Sequence, residues 1–367
     1  MRTIADIENP NAIIGWWNTR PNEQGPYLYQ SLTDLAYSTT DDIEMLYGSE
    51  QPRKMLSLTA DDSKAIKRDN IGFENDSLKV IPFKNYKAMN EKRRNEIKKA
   101  ITNNANAAMV KAITETQYKD PATLLRDALF TRETLFMQAL TTGKIHAVSD
   151  GLEYNRDFHL PSEHIVTTGT PWGNTDSSPL RDIRNYKKQM LQDNGTKIAY
   201  ALMNGNTFLQ LSDSGEVYNS LSINKTTNNI AFAQTQVTKL FTETLPGVEP
   251  LLYDGMSDTD YFIPDGMVIL LPAGGVGRMV WTDTNEDLGL AGDPKYQLSR
   301  TSDGITLYTK RVDNPVATMT HVSQKVLPAI DKIRNIMIMN VGGTTSSPQQ
   351  AKTSSNTTGT TGDASKN

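Results

Sequence analysis

Residues 50–88 combine two apolar stretches with a long charged centre, and this pattern constrains the fold more than any other feature of the chain. The apolar stretches are typical of extended strands, whereas the segment from Asp61 to Asn70 is polar and charged. Ordering backbone costs about 1 to 2 kcal/mol per residue, and an isolated two-stranded hairpin is marginal in water. The segment is therefore predicted either to be mobile or to lie across a neighbouring subunit.

The composition also favours a chain that depends on assembly. Only 37% of the 367 residues are hydrophobic, which is low for a compact enzyme of this size. Cysteine is absent, so disulfides, thiolate metal sites and cysteine nucleophiles are excluded. The sequence contains neither a signal-peptide pattern at its start nor an apolar run long enough to span a bilayer. We therefore expect no membrane partner, and stability has to come from burial and assembly.

The formal net charge of -4 argues against a dedicated nucleic-acid binder, which usually carries a basic balance or a basic face. One basic cluster runs from Lys84 to Lys99, where seven basic residues accompany Glu91 and Glu96. A solvated helix face with Glu-to-Lys pairing explains this cluster better than phosphate contact does.

Three helical regions stand out before residue 143. One of them, from about Lys87 to Thr116, is rich in Lys, Ala, Asn and Ile, and it is predicted to be helical in part and to lead into the longest helix. Residues 1–49 resemble an arm that packs its aromatic side chains on something else, with one short helix near Leu28 to Tyr37. The strongest helix is predicted from an N-cap at Asp120, with Pro121 as its first residue, to a stop at Gly143. Three of its apolar residues share one face at helical spacing and are expected to pack against a sheet of the same subunit: Leu125, Leu129 and Phe136.

Beyond Gly143 the pattern changes to short extended runs with turn signals, one of them from Thr207 to Asp213. A further helix is predicted between Pro179 and Asn194-Gly195. This order of elements predicts an α+β chain with a mixed sheet. The tail from Gly342 is rich in Ser, Thr and Gly and is expected to be disordered.

A search for chemistry yields no catalytic, metal or cofactor site. The glycine-rich stretch from Ala273 to Arg278 is better explained as a tight strand connection than as a phosphate cradle. The histidines, His146, His159, His164 and His321, lack the spacing of a zinc site. The loop 168–178 resembles an active-site loop but has no catalytic partners elsewhere. It is predicted to join a strand ending at Thr167 to the next helix, with Trp172 as a packing anchor.

Several motifs in order carry a family resemblance. They are "GTPWG" followed by "LRDIRNY", then "YFIPDGMVIL" and "GRMVW", and finally "PVATMTHVSQKVLPAIDKIRNIMIM". With these motifs the chain resembles the major capsid proteins of tailed bacteriophages, of the lambda E type, which have the Hong Kong 97-type capsid fold. The resemblance extends to about Val341.

The resemblance implies a division of the chain into named parts. These are an N-terminal arm (1–49), an extended loop (50–88), a peripheral domain (89–174) with a spine helix (120–142), an axial domain (175–300), a return to the peripheral domain (301–341) and the tail (342–367). In the family the extended loop lies over an adjacent subunit. The residues expected to make this contact are Met55, Leu58, Asp61, Asp62, Lys64, Lys67, Arg68, Leu78 and Val80.

The function implied is a structural one. The chain would self-assemble, as hexamers and pentamers, into an icosahedral shell around a double-stranded DNA genome, with no enzymatic activity and no cofactor. Its partners would be itself, scaffold, portal and decoration proteins, and packaged DNA by weak non-specific contact. It would reside in the virion after assembly in the host cytoplasm. The alternatives are an encapsulin-like compartment on the same fold, an unrecognised hydrolase or transferase, and a DNA-binding virion component that uses the Lys84–Lys99 cluster.

Overall fold

The computed structural model describes residues 8–48, 73–89, 91–102, 107–149, 151–222, 233–258, 260–313 and 316–342. Both helices and strands are abundant in these ranges, so the α+β class is confirmed. The helices are α1 (Pro10–Asn18), α2 (Tyr29–Leu32), α3 (Glu91–Thr102), α4 (Ala107–Thr142), α5 (Pro179–Asp193), α6 (Gly205–Ser212), α7 (Gly215–Leu221), α8 (Gln234–Thr244) and α9 (Asn285–Leu290). Short 3-10 turns lie at Pro21–Glu23, Ser162–His164 and Ile333–Asn335.

The strands form two larger sheets and several two-stranded ribbons. In the first half of the chain they are β1 (Thr33–Tyr37), β2 (Asp42–Gly48), β3 (Phe73–Lys79), β4 (Ile81–Met89), β5 (Lys144–Ser149), β6 (Leu152–Asp157) and β7 (Ile165–Thr167). In the second half they are β8 (Ile198–Met203), β9 (Glu249–Leu252), β10 (Met256–Ser257), β11 (Asp260–Tyr261), β12 (Met267–Pro272), β13 (Gly277–Thr282), β14 (Tyr296–Arg300), β15 (Thr306–Asp313), β16 (Val316–Ala329) and β17 (Met337–Asn340).

Strand β16 is the centre of a six-stranded sheet. It pairs antiparallel with β4 over Thr318 to Val326, with β15 over Val316 to Ser323, and with β13 over Lys325 to Ala329. Because a residue in a sheet has one neighbour on each side, these overlaps place β4 on one side of β16 and both β15 and β13 on the other. Strand β14 extends the sheet beyond β15, and β1 pairs parallel with β13.

The second large sheet has the order β7-β17-β12-β8-β9 and forms a middle layer of the molecule. Every residue of its central strand β12 is buried. Val268 and Leu270 pack into a core formed with helices α5 to α8. Ile269 and Leu271, which alternate with them along the strand, pack into the core that contains the C-terminal half of α4. The uninterrupted apolar run in β12 therefore follows from burial on both faces.

The long helix α4 differs from its prediction at the N-terminus. It begins at Ala107 and continues through Pro121, so the predicted start at Asp120 is wrong. A proline inside a helix costs about 3 kcal/mol because it removes a backbone hydrogen bond and crowds the preceding turn. Tyr118 and Ala122, on both sides of the proline, are buried in the same core cluster, and this packing offsets the cost. The predicted end is confirmed, since Gly143 has φ 71° and its N–H donates to the Ala139 carbonyl.

The N-terminal segment packs on its own chain. Ile13, Ile14 and Trp17 of α1 are buried in the cluster that contains Leu124 and Leu125 of α4. The predicted helix near Leu28 to Tyr37 is limited to α2, and the chain then forms strand β1 because residues from Thr33 onward pair with β13.

One further expectation differs from the structure. Residues 207–213 were expected to be extended, but residues 205–212 form helix α6. Asn204 caps this helix, with its Oδ1 accepting a hydrogen bond from the Thr207 N–H at 2.8 Å. Residues 277–300, grouped by the resemblance with the axial domain, include β13 and β14 of the six-stranded sheet.

Candidate assembly surfaces

The segment predicted to be an extended loop has a paired base. Strands β2 and β3 form an antiparallel ladder from Asp42 opposite Lys79 to Gly48 opposite Phe73. The hairpin thus starts at residue 42 instead of residue 50. Seven of the predicted contact residues lie outside the described residues: Met55, Leu58, Asp61, Asp62, Lys64, Lys67 and Arg68.

The other two predicted contact residues, Leu78 and Val80, belong to the core of their own chain. Their side chains are 1% and 3% exposed and share a cluster with Ile43 and Met45. They have almost no surface left for a neighbour, which corrects that part of the expectation. The reason is that alternate side chains of the hairpin face the core of the same subunit.

Polar contacts also fix the base of the hairpin. Asp41 accepts hydrogen bonds from Lys325 Nζ at 2.9 Å and from Thr282 Oγ1 at 3.1 Å. The hydrogen bond from Lys325 lowers the pKa of the Asp41 carboxyl. Asp76 of β3 forms an ion pair with Arg156 of β6. The strands that lead to residues 49–72 are therefore joined to the six-stranded sheet and to the β5–β6 ribbon.

The three residues predicted for the core of the spine helix are all buried. Leu125 and Phe136 are 0% exposed and Leu129 is 4% exposed. Leu125 and Leu129 belong to a cluster with side chains of β15 and β16, including Leu307 and Val322. Helix α4 thus packs across the six-stranded sheet of its own subunit.

A carboxylate that the sequence did not single out joins three parts of the chain. Glu133 of α4 is 0% exposed and accepts hydrogen bonds from the Leu28 and Tyr29 N–H groups, both at 3.0 Å. Burial raises the pKa of Glu133, and the pKa of the Tyr253 hydroxyl, which hydrogen-bonds to it, is also raised by burial. The only feature of the sequence that could have identified Glu133 as a buried contact is its position as a charged residue on the apolar side of a predicted helix.

The loop 168–178 is a structural junction. It joins β7, which ends at Thr167, to α5, which begins at Pro179. Trp172 is 4% exposed, lies in the core of the helical layer and donates from Nε1 to Asp182 Oδ2 at 3.2 Å. The prediction that Trp172 is a packing anchor is confirmed.

The remaining candidates for chemistry have structural surroundings. Within the described ranges no cluster of acids and histidines suits a metal ion. His321 stacks on Tyr308 with ring centroids 4.6 Å apart. The glycine-rich stretch connects β12 to β13, as predicted, and a Cβ on Gly275 would lie 2.9 Å from the Leu32 carbonyl oxygen.

The basic cluster is divided between strand β4 and helix α3. Lys84 Nζ lies 2.6 Å from Glu286 Oε1, and Arg94 Nε lies 3.4 Å from Glu8 Oε1. Lys87 donates to the Thr123 hydroxyl. These contacts agree with a solvated, internally paired surface.

His164 supplies a pH-dependent prediction. It is 2% exposed, and burial lowers its pKa, an effect that the nearby Glu163 and Asp193 only partly oppose. A lowered pKa in the folded state means that the unfolded chain binds the proton more strongly, so stability falls as pH falls below about 6.5.

We expect His164→Gln to reduce the loss of melting temperature between pH 8 and pH 5.5. The matched control is the mostly exposed His159→Asn, because Asn tolerates the positive φ at that position. An unchanged pH profile in His164→Gln would contradict the prediction.

Several solved structures resemble this chain in fold. A prophage protein from Escherichia coli CFT073, assigned as a capsid protein, superimposes with a TM-score of 0.57 at 15% identity, covering 91% of this chain and 99% of that one. A phage-related protein from Bordetella bronchiseptica RB50 gives a TM-score of 0.52 at 12% identity, covering 90% and 97%. The capsid asymmetric unit of cyanophage A-1(L) gives 0.50 at 10% identity, covering 84% and 91%. These likenesses establish the Hong Kong 97-type fold.

The family is established by sequence. No curated protein matches the chain, and none of the helices in the described ranges has the length and apolar character needed to cross a membrane. The model of the family described as phage major capsid protein E matches residues 10–341, which is nearly the whole chain. The chain therefore belongs to the phage major capsid protein E family.

Proposed function

We propose that copies of this chain assemble, as hexamers and pentamers, into the closed icosahedral head that encloses the double-stranded DNA of a tailed phage. The observation that carries the proposal is the family match over residues 10–341. The fold likeness to capsid proteins supports it. The family is a structural one, and the proposal includes no catalytic step. The place of the protein is the virion, and we propose that assembly occurs in the host cytoplasm with scaffold, portal and decoration proteins as partners.

The structural parts correspond to the parts of a shell subunit as follows. The six-stranded sheet and α4 form the peripheral domain, with residues 277–300 included. The five-stranded sheet and its helical layer, α5 to α8, form the axial domain. This assignment is supported by the two separate core clusters that pack against opposite faces of β12.

The extended loop is proposed to bind a neighbouring subunit through residues 49–72. Its base is held in its own chain by Ile43, Met45, Leu78 and Val80. The segment between the paired ends carries the charged residues 61–68. Such charges at the rim of an interface mainly set register and steer association.

Reversing two of these charges tests the loop. We expect Lys67→Glu with Arg68→Glu to lower the yield of particles, measured by sedimentation, while the melting temperature of the unassembled subunit stays within about 2 °C, since surface charge changes have small effects on stability. Lys98→Glu with Lys99→Glu, on exposed positions of α3, gives the same change in net charge and should assemble normally. Hydrogen exchange provides a second measurement. Equal protection of residues 49–72 in the subunit and in the particle would show that the loop is self-supporting.

The function itself is tested by expressing the chain and imaging the purified product. Electron microscopy and sedimentation velocity are expected to show closed hollow shells. A protein that stays monomeric or forms only small oligomers at every concentration would contradict the proposal.

A further inference from the structure

The exposed side of helix α5 is basic. Four cationic side chains lie at helical spacing over two turns of the helix: Arg181, Arg184, Lys187 and Lys188. The opposite side is apolar and buried through Leu180, Ile183 and Met190. Asp182 turns toward the core, where it accepts from Trp172 Nε1, and Asp193 lies in the last turn beyond the four cations. We name the four cations the basic face.

No ion pair within 4.0 Å neutralises the basic face among the described residues. Two of its members are held by uncharged groups. Lys187 Nζ donates to the Pro246 carbonyl at 2.6 Å, and Arg184 donates to the Thr244 carbonyl at 3.5 Å. These contacts position Lys187 and Arg184 near the C-terminus of α8 and leave their formal charge uncancelled. Arg181 lies closer to acidic groups: its backbone N–H donates to Glu216 Oε2 at 3.3 Å, and its side chain interacts electrostatically with Asp182 without forming an ion pair.

A second exposed surface, which is acidic, adjoins the same five-stranded sheet on which α5 packs. The segment from residue 254 to residue 265 contains the β10–β11 ribbon and connects β9 to β12. Its exposed carboxylates are Asp254, Asp258, Asp260 and Asp265. We name these four the acidic ribbon.

The acidic ribbon is likewise held by uncharged groups. Asp254 Oδ1 accepts from the Gly205 N–H at 2.7 Å, and Asp265 Oδ1 accepts from Asn204 Nδ2 at 2.6 Å. None of the four carboxylates forms an ion pair with a described cation within 4.0 Å. The ribbon also exposes a cross-strand apolar pair, Met256 and Tyr261, which are 45% and 36% exposed.

The two surfaces have equal numbers of opposite charges and do not neutralise each other within the chain. We infer that the basic face of one subunit binds the acidic ribbon of a second copy of this chain. The contact is heterologous, because different surfaces meet, and such contacts close into rings when the rotation between copies permits. Leu191, 48% exposed on the basic helix, together with Met256 and Tyr261, supplies apolar area to an interface that charges alone would not hold.

This inference rests on the proposed function and adds to it the surfaces that join neighbours within a ring. Complementary charges raise the rate of association and exclude wrong registers more than they raise affinity. Assembly of the native chain is therefore expected to slow as salt rises, because exposed charges are screened beyond about 10 Å at 0.1 M salt.

Charge exchange tests the contact. The first variant carries Arg181→Glu and Lys188→Glu, the second carries Asp258→Asn and Asp260→Lys, because Asn tolerates the positive φ at residue 258, and the third carries all four changes. At low salt we expect each of the first two variants to form rings and shells at least about tenfold more slowly than the native chain. The third variant restores complementarity, with the signs exchanged at Arg181, Lys188 and Asp260, and should recover most of that rate. Sedimentation velocity and native mass spectrometry measure the rings and shells.

Controls separate this contact from folding and from the proposed function. Circular dichroism of each unassembled variant reports folding, and Arg181→Gln with Lys188→Gln replaces the first variant if that one unfolds. Lys98→Glu with Lys99→Glu is matched in charge change and should assemble normally. The inference would be overturned if both of the first two variants assembled at the native rate. It would also be overturned if the third variant, with all four substitutions, folded but did not recover the assembly rate. Neither result would affect the proposed shell function. Failure of the native chain to form shells would instead contradict the proposed function.

Discussion

Replacing Phe136 by Ala is expected to lower the free energy of unfolding of the unassembled subunit by about 3 to 5 kcal/mol. Phe136 is 0% exposed, in the core between α4 and the two large sheets. Truncation removes the whole ring from that core and leaves a cavity which neighbours on rigid strands cannot fill. Urea denaturation of the unassembled subunit measures the effect.

Leu288→Ala is the matched control for Phe136. Leu288 is also a large apolar residue on a helix, but it is 73% exposed, and exposed substitutions usually change stability by less than about 0.5 kcal/mol. If the two variants unfold at the same urea concentration, the core position assigned to Phe136 is wrong.

Replacing Arg132 by Met is expected to cost about 2 to 4 kcal/mol of stability, because buried partners lose their donor. The Arg132 side chain is 0% exposed, and its Nε donates to Gln324 Oε1 at 2.8 Å. Its terminal nitrogens donate to the carboxylate and to the carbonyl of Asp303 at 3.0 and 2.9 Å. Gln324 is 2% exposed, so water cannot replace the missing donor. The Asp303 side chain is 27% exposed, which lets water compensate that partner in part.

Arg126→Met, on the same helix, provides the comparison. Arg126 pairs with Glu23 at 2.8 Å, but its side chain is 47% exposed, and exposed pairs contribute about 1 kcal/mol or less. Thermal unfolding of both variants should therefore show a much larger shift for Arg132→Met. Equal shifts would mean that burial does not decide the strength of these two arginine contacts.

The effect of substitutions in α4 on particle assembly depends on the parts of the chain that this helix connects. Through Glu133 this helix holds the backbone of Leu28 and Tyr29, and through Arg132 it holds the turn before β15. A change that loosens α4 therefore loosens both the N-terminal segment and the six-stranded sheet that carries the base of the extended loop. Variants in α4 should lose particles together with subunit stability, whereas the charge variants of α5 and of the acidic ribbon should lose particles alone.

Local sequence patterns predicted the elements that are specified by residues close together in the chain. The spacing of Leu125, Leu129 and Phe136 identifies one face of a helix because a helix repeats every 3.6 residues. Gly143 and Gly195 mark helix ends because both adopt positive φ. Trp172 was predicted as an anchor because its loop has no catalytic partners. The order of the motifs along the chain indicated its family. This order can be read from the sequence without knowing which residues contact each other in the fold.

Local patterns failed where a distant contact outweighed a local preference. Pro121 is a strong stop signal, yet α4 passes through it because Tyr118 and Ala122 pack in the same core cluster. The apolar run at Thr207 is as short as a typical strand, but its cap at Asn204 and the burial of Phe208 and Leu211 make it helical.

By itself the sequence determined the α+β class, the C-terminal end of the spine helix, the junction at Trp172 and the membership in a capsid family. Only the tertiary structure decided which strands pair and which side chains remain available to other subunits. Leu78 and Val80 show the reason: an apolar strand residue suits the core of its own chain as well as a neighbour's surface, and only the packing of β3 against the rest of the subunit selects between them. The same holds for the charges of α5 and of residues 254–265, because a charge in the sequence becomes a binding surface only when folding leaves it unpaired.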